Sequence, residues 1–433
     1  MIDEEFIKDL SKKIGDPEWL LEFRLNSFKE FKELEYPKIE YLERNFNFER
    51  YIKPLEKIFD KEEIPWDIRK IISSLGMSEK EIELFSGISA VENFLTVFLK
   101  IKDYLKREGI IFEDIISASN KYPKLVKKYL GKIIDIKNKI YFLNSMLFTS
   151  GTFIYIPKNK KVIWPLHTIF RITKPELSQF ERTLIILDKN SEVTFVEGCI
   201  SPLFSKLNIH LGAVEVYVME GAKLNLITLQ NWSKNVLNFV FSKAILENNS
   251  YIKLIEVHIG SKIAIKHPSI YLKGENSKAE VFEIMFSGKD QIKDIGVKVF
   301  HKNKRTYSKI ISKSISKEGG KNVYRSYIEI EEIAENSFSY NECNSLLLDE
   351  ISEFKTFPRF NIKNDKSEVS NESVVGRIDE KKIKYLEAKG IPRYKAISLL
   401  TLGFLNPILK QIPLEYLMEL KRVIEFELKE YGI

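Results

Sequence analysis

Seven turn-forming positions recur at nearly constant spacing from residue 190 to residue 366, and this period restricts the fold more than any other feature. They are Asn190, Gly221, Asn249, Asn276, Asn303, Asn336 and Lys366, at intervals of 27 to 33 residues, with the insert "KEGGKN" inside the longest interval. Between them run short alternating stretches rich in Val, Ile, Phe and Tyr, such as "EVTFVEGC", "YIKLIEV" and "KAEVFEI", the pattern of strands bounded by turns. A fixed period in this range indicates stacked units, none of which buries its apolar face alone. Asn suits the corners because it tolerates the left-handed backbone conformation. The spacing predicts a right-handed parallel β-helix over residues 146–375. A β-sandwich would show two-residue hairpin turns and a spacing nearer ten residues.

The flanks read as helical. Residues 1–145 form an N-terminal, mainly helical region. There "DPEWLLEFRLNSFKEFKEL" offers Asp16 as N-cap and Pro17 at the first helical position, "SEKEIELFSG" carries Ser78-x-x-Glu81 with Gly87 as a stop, and "NKYPKLVKKYLGKI" runs from Pro123 to Gly131. Residues 376–433 form a C-terminal helical region. Pro392 precedes "RYKAISLLTLGF", and a closing amphipathic helix sets Leu414, Leu417, Leu420, Val423 and Phe426 on one face.

Composition narrows the function. The formal charge of +7 arises from 68 basic and 61 acidic residues interspersed in sign, which is a solvated surface and not a nucleic-acid footprint. No apolar run approaches the ~18 residues of a membrane span, and "MIDEEFIKDL" has no signal-type apolar segment, so the expected location is the cytoplasm. Five histidines (His167, His210, His258, His267, His301) fall outside any zinc or ferredoxin spacing, and no G-x-x-x-x-G-K-[ST] run is present. If ATP is used, another chain binds it. Only two cysteines occur, which suits reduced thiols better than a disulfide framework.

One of them, Cys343, lies in the polar stretch "SYNECNS", an unusual setting for a residue type that is commonly buried. "EWLLEFRLNSF", "YPKLVKKYLGKI", "SGTFIYIPK", "FRITKPELSQFERTLIILDKNSEVTFVEGC", "QNW" followed by "LNFVFSKA", and "SVVGRIDEKKIKYLEAKGI" together resemble the SufB family, the scaffold subunit of the Suf iron–sulfur cluster assembly system. The resemblance runs from about residue 18 to the C-terminus. It implies a β-helix core flanked by helices, docking to a SufC-type ATPase through the C-terminal region, pairing with a SufD-type subunit or a second copy, and delivery of sulfur by a donor protein.

On this resemblance Cys343 matches the cysteine on which a nascent cluster is built, since thiolate sulfur is the preferred cluster ligand; the alternative is a packed strand cysteine. Glu372 in "SNESVVGRI" matches a glutamate that acts with it, against the alternative of a solvated edge carboxylate. Aligning Ser337 with Ser367 sets Cys343 six residues on and Glu372 five, so a strict register points them to opposite faces. A bulge or a subunit interface would remove that conflict. Asn371 stands where the family commonly has His, and Asn can neither exchange a proton nor ligate well. Leu246 stands where the family has a sulfur-accepting cysteine, and leucine cannot hold a persulfide. Gln230, Asn231 and Trp232 match a family triplet and His210 a family histidine, all of them possible supporting residues or ordinary packing groups. Cys199, about five coils before Cys343 or roughly 24 Å at strand spacing, reads as a packed thiol.

The expected function is therefore a scaffold for cluster assembly, not an enzyme, with ATP hydrolysis in the partner. The iron–sulfur cluster is held transiently, because one thiolate cannot supply about four ligands. Cys343 and Glu372 would be its protein ligands, at a subunit interface. The alternative is a SufD-like structural subunit of the same complex, favoured by Asn371 and Leu246. A β-helix polysaccharide lyase or hydrolase would need an acidic catalytic cluster along one solenoid face, and none is apparent.

Overall fold

A computed structural model describes residues 2–43, 46–52, 85–202 and 206–429. Its centre is a parallel β-helix built from two long sheets, one of ten strands and one of eleven. In the first sheet the path runs through Leu166–Arg171, Glu192–Ile200, Lys223–Trp232, Tyr251–Gly260, Lys278–Ser287, Tyr307–Ser316 and Phe338–Leu347 to Glu368–Arg377. Each of these strands pairs in parallel with the one a coil later.

The corners follow the predicted period, with one displacement. Asn190, Gly221, Asn249, Asn276 and Asn336 adopt the left-handed conformation, at φ of 56°, 68°, 55°, 57° and 57°. Their N–H groups donate to carbonyls one coil on, as Asn249 does to Glu275 (2.8 Å) and Asn336 to Lys366 (3.2 Å). In the coil assigned to Asn303 the left-handed residue is Arg305 (φ 54°). Its N–H takes the equivalent bond to the Glu335 carbonyl (2.9 Å), and its Nε donates to Asn276 Oδ1 (2.9 Å). Lys366 is not left-handed and serves through its carbonyl. Gly221 is required where it stands, because a Cβ there would lie 2.2 Å from Asn190 Oδ1.

Three apolar layers follow from the strand alternation. Inward residues such as Val193, Phe195, Leu224, Leu226, Ile252, Leu254, Ala279 and Val281 fill the solenoid. The outer face of the second sheet is covered by the N-terminal helices, including Glu4–Ile14, Glu18–Glu33 and Lys139–Leu147. The outer face of the first sheet, with Ile255, Val257, Ile259, Phe282 and Phe286, is covered by Glu380–Ala388, Arg393–Leu409 and Leu414–Lys429. Both outer faces are therefore as apolar as the interior along much of their length.

Several local expectations shift. Asp16 does not cap the second helix; Pro17 occupies the N-cap without a side-chain bond, and Asp16 forms a buried ion pair with Arg24 (2.6 Å). Ser78 and Glu81 lie outside the described residues, and Gly87 opens the strand Gly87–Glu92, which pairs in parallel with Leu166–Arg171. With Leu95–Ile101 and Ile111–Asp114, it carries sheet structure into the stretch read as helical. In the last helix Tyr416, Leu420, Ile424 and Leu428 form the buried stripe, at i, i+4 spacing, and Leu414 and Phe426 of the expected stripe are exposed at 69% and 63%. No helix among the described residues is long and apolar enough to cross a membrane.

Candidate functional site

Cys343 sits in Phe338–Leu347, whose burial alternates along its length, and its side chain points into the solenoid at 1% exposure. In register with it are Ser312 one coil earlier and Ser373 one coil later. Following the pairing backwards extends one inward column through Glu283, Glu256, Thr228 and Glu197 to Thr168. From Glu197 onward every member stands seven residues after its left-handed corner, so Glu197, Thr228, Glu256, Glu283, Ser312 and Cys343 are equivalent positions of the repeat. At ~4.8 Å per coil this is a continuous polar file leading to Cys343.

Its electrostatics are set by burial and by one lysine from the opposite sheet. Lys266, fully enclosed, places Nζ 2.6 Å from Glu256 Oε1. Although burial opposes ionisation, Lys266 and His258 (Nε2 to Glu256 Oε2, 3.5 Å) hold the Glu256 carboxyl down at about 2. Glu283, one coil on, has no hydrogen-bond partner on either oxygen among the described residues, and burial with the Glu256 charge pushes it well above the carboxylate range. Burial, reinforced by Glu181, raises Glu197 to about 8. Lys293, enclosed with Nζ 3.3 Å from the Ser261 carbonyl, is brought down to about 7 by burial. At neutral pH the file thus contains one ion pair between neutral acids. Burial also raises the Cys343 thiol far above its ordinary value, with Glu283 adding and the Thr356 and Ser312 hydroxyls opposing. In this closed single chain the thiol carries its proton.

The remaining candidates divide by strand parity. Glu372 is in register with Glu342 and faces outward, exposed, accepting from Tyr340 Oη (3.3 Å). The pairing is continuous from Phe338↔Glu368 to Leu347↔Arg377, so no bulge turns Glu372 toward Cys343. The residue that shares the interior side of the register is Asn371, whose Oδ1 accepts from Asn341 Nδ2 (2.7 Å); Asn341 in turn accepts from Tyr324 Oη (2.9 Å).

Gln230 and Trp232 lie inside the solenoid four coils before Cys343, and Asn231 alternates outward. Gln230 Nε2 donates to Cys199 Sγ (3.2 Å), while its Oε1 accepts from Trp232 Nε1 (2.8 Å) and Asn238 Nδ2 (3.1 Å). His210 Nδ1 is 2.8 Å from Asn238 Oδ1, and its ring packs on Trp232. These residues form one connected network around Cys199, with His210 Nε2 left 3.6 Å from Glu181 Oε1 and without a hydrogen bond among the described residues; Cys199 is free, buried and five coils from Cys343. Leu246 packs in the apolar part of the interior, in register with Val218 and Leu272.

Among the described residues no three His, Cys, Asp or Glu groups converge as a metal site. Sequence reading passed over Glu197, Glu256 and Glu283, though their constant offset from the corners was available. Lys266 gave no such signal, because it reaches the file from another strand.

The solenoid ends one coil beyond Cys343. Glu353–Ile362 and Glu368–Arg377 each pair on one side only among the described residues. Their coil exposes Phe360, Ile362, Val374 and Val375, Val374 at 60%. An edge of this kind invites pairing or cover by another chain.

Comparison with known proteins places this architecture. The family description "SUF system FeS cluster assembly, SufBD core domain" matches residues 170–404, and "SufBD protein N-terminal region" matches residues 92–167. The chain is 36% identical over 433 residues to the iron–sulfur cluster assembly SufBD family protein of Staphylococcus aureus (strain USA300), covering 99% of this chain and 93% of that protein. The corresponding protein of Staphylococcus haemolyticus (strain JCSC1435) matches at the same identity and coverage.

Proposed function

The chain belongs to the SufBD family of iron–sulfur cluster assembly proteins, and from that premise we propose that it is a SufB-type scaffold on which a nascent cluster is built at a subunit interface. The observation that carries this reading is the position of Cys343, at the end of the interior polar file and one coil below the open, unpaired end of the solenoid. The cluster is cargo. One thiolate provides one of the roughly four ligands a cluster takes, so the others come from a second chain seated on the terminal coil, either a SufD-type subunit or a second copy.

Glu372 and Asn371, both exposed on the last strand, stand where such a chain would meet this one, and Glu372 joins Cys343 as a ligand only through that contact. Seating it would also have to open the coil that keeps the Cys343 thiol buried and protonated. Gln230, Trp232 and His210 support the interior, Asn231 faces outward beside them, and none of the four binds the cluster. Sulfur from the donor protein enters at the terminal coil, because Leu246 offers no thiol at the family's usual acceptor position. A SufC-type ATPase docks on the C-terminal helices, where Leu399, Leu414, Met418 and Phe426 are exposed, and ATP hydrolysis belongs to that partner. The complex works in the cytoplasm, without nucleic acid or membrane.

A second reading, a SufD-like structural subunit, draws on the enclosed thiol and on Asn371. Anaerobic reconstitution with iron and sulfide, in the presence of a SufC-type ATPase and read by visible absorption, tests the choice. Cluster absorption that disappears in Cys343→Ser, with unchanged circular dichroism, is the expected result. Absorption of full intensity in that variant would refute the scaffold site. No absorption from the wild-type chain unless an active SufB is added would favour the SufD-like role.

A further inference from the structure

We propose that the outward side chains of the second sheet, at its last coils, form a binding site for a small molecule bearing a diphosphate group, distinct from Cys343 and Glu372. A groove of about 420 Å³ opens there, lined among others by Lys298, Arg325 and Arg359, within the size range of small-ligand sites. Register brings the cations together. Lys298 pairs with Tyr327 and Tyr327 with Arg359, while Arg325 pairs with Phe357 in the same two strands. Lys298 and Arg359 are thus two rungs apart on one outward row, roughly 10 Å between backbones at strand spacing, a span their long side chains can close around two adjacent phosphoryl groups.

Arg325 is set in place beforehand. Its Nε donates to both oxygens of Asp294 (2.8 and 3.1 Å), and its guanidinium lies 4.8 Å over the Phe357 ring. Asp294 is itself fully engaged, with His267 Nε2 at 2.8 Å and Tyr41 Oη donating at 3.1 Å. Lys298 and Arg359, by contrast, make no hydrogen bond or ion pair with any described residue. Three cations against the single Asp294 carboxylate leave the groove with an excess of two positive charges when His267 is neutral.

The excess is local. The neighbouring Lys302 and Lys363 are neutralised by Glu329 and Glu331 at 2.5 to 3.7 Å. A compact anion fits this arrangement, and an extended polyanion such as nucleic acid does not, since it would need a continuous basic track. Phe300 and Phe357 add an aromatic wall against which an organic group attached to the diphosphate can pack.

Calorimetric titration of the full-length chain in moderate salt with pyrophosphate, orthophosphate and ADP tests this. Pyrophosphate should bind saturably, about tenfold or more tighter than orthophosphate, and both Lys298→Gln and Arg359→Gln should weaken it by about tenfold, the range of a lost charge-assisted contact. Both residues are exposed, so the variants should keep wild-type circular dichroism. ADP binding as tight as pyrophosphate or tighter would identify an organic diphosphate as the ligand. Pyrophosphate binding with ADP excluded would identify the inorganic anion. No saturable binding of either, or binding unchanged in both variants, would overturn the proposal.

Discussion

Replacing Lys266 with Met would test whether the polar file is held by one ion pair. In the folded chain Glu256 titrates at about 2, against an ordinary value near 4.5. That interval is worth ~3 kcal/mol at ~1.4 kcal/mol per pH unit, and it is the net advantage of the charged form after burial has been overcome, chiefly by Lys266 at 2.6 Å. Without Lys266, Glu256 enters the situation of Glu283, which burial pushes well above the carboxylate range, and the chain must either bury a bare charge or take up a proton. Breaking a buried pair from one side costs about 3–5 kcal/mol, so Lys266→Met should lose roughly that much at pH 7 in urea unfolding followed by circular dichroism.

The pH dependence has a definite sign. In wild type the depressed Glu256 contributes stability at every pH above about 4.5 and loses it only as pH falls toward 2. In the variant its folded pKa lies above the unfolded one, so stability rises as pH falls from 7 toward 5, by up to ~1.4 kcal/mol per pH unit. Loss of Lys266 also raises Glu197, which Lys266 pulls down, and this acts in the same direction. The deficit against wild type should therefore shrink on acidification, and Glu256→Gln added to Lys266→Met should restore most of it. A deficit below about 1 kcal/mol at pH 7, or one that grows as pH falls, would refute the reasoning.

Two other expectations follow from packing and burial. Removing the C-terminal helices would strip the cover from Ile255, Phe282 and Phe286, so ATPase docking is better tested by Leu399→Glu with Phe426→Glu on the exposed face; this pair should abolish SufC-type pull-down and leave thermal stability within about 1 kcal/mol, and retained pull-down would move the docking surface elsewhere. His167, enclosed by Phe85 and Tyr416, is lowered by burial to about 3, so it contributes stability above its unfolded value near 6.5 that is lost as pH falls toward 3. Between pH 7 and pH 5 wild type should lose ~2 kcal/mol relative to His167→Phe; this comparison cancels the opposite contributions of Glu197 and Glu283, and equal pH slopes in the two proteins would contradict it.

What the chain made legible by itself was periodic. The interval of 27 to 33 residues marked the coils, and Asn or Gly marked most corners, because the left-handed turn excludes most other side chains. At the coil after Asn276 the corner moved to Arg305, where backbone hydrogen bonds and the contact with Asn276 hold a residue that has no such preference. Parity along the last two strands correctly separated Cys343 from Glu372, since a continuous parallel register leaves no freedom to bring them to one face.

Tertiary structure alone decided which apolar face was inside. With helices over both sheets, a strand such as Ser178–Leu187 is buried at every position, and the inward and outward residues of a doubly covered strand look alike in sequence. The same cause misplaced the stripe of the last helix, whose apolar residues outnumber those its packing uses. It also hid Lys266, which belongs to another strand than the acid it faces. Its effect on Glu256 depends on distance and exclusion of water, which neighbours in the chain do not record.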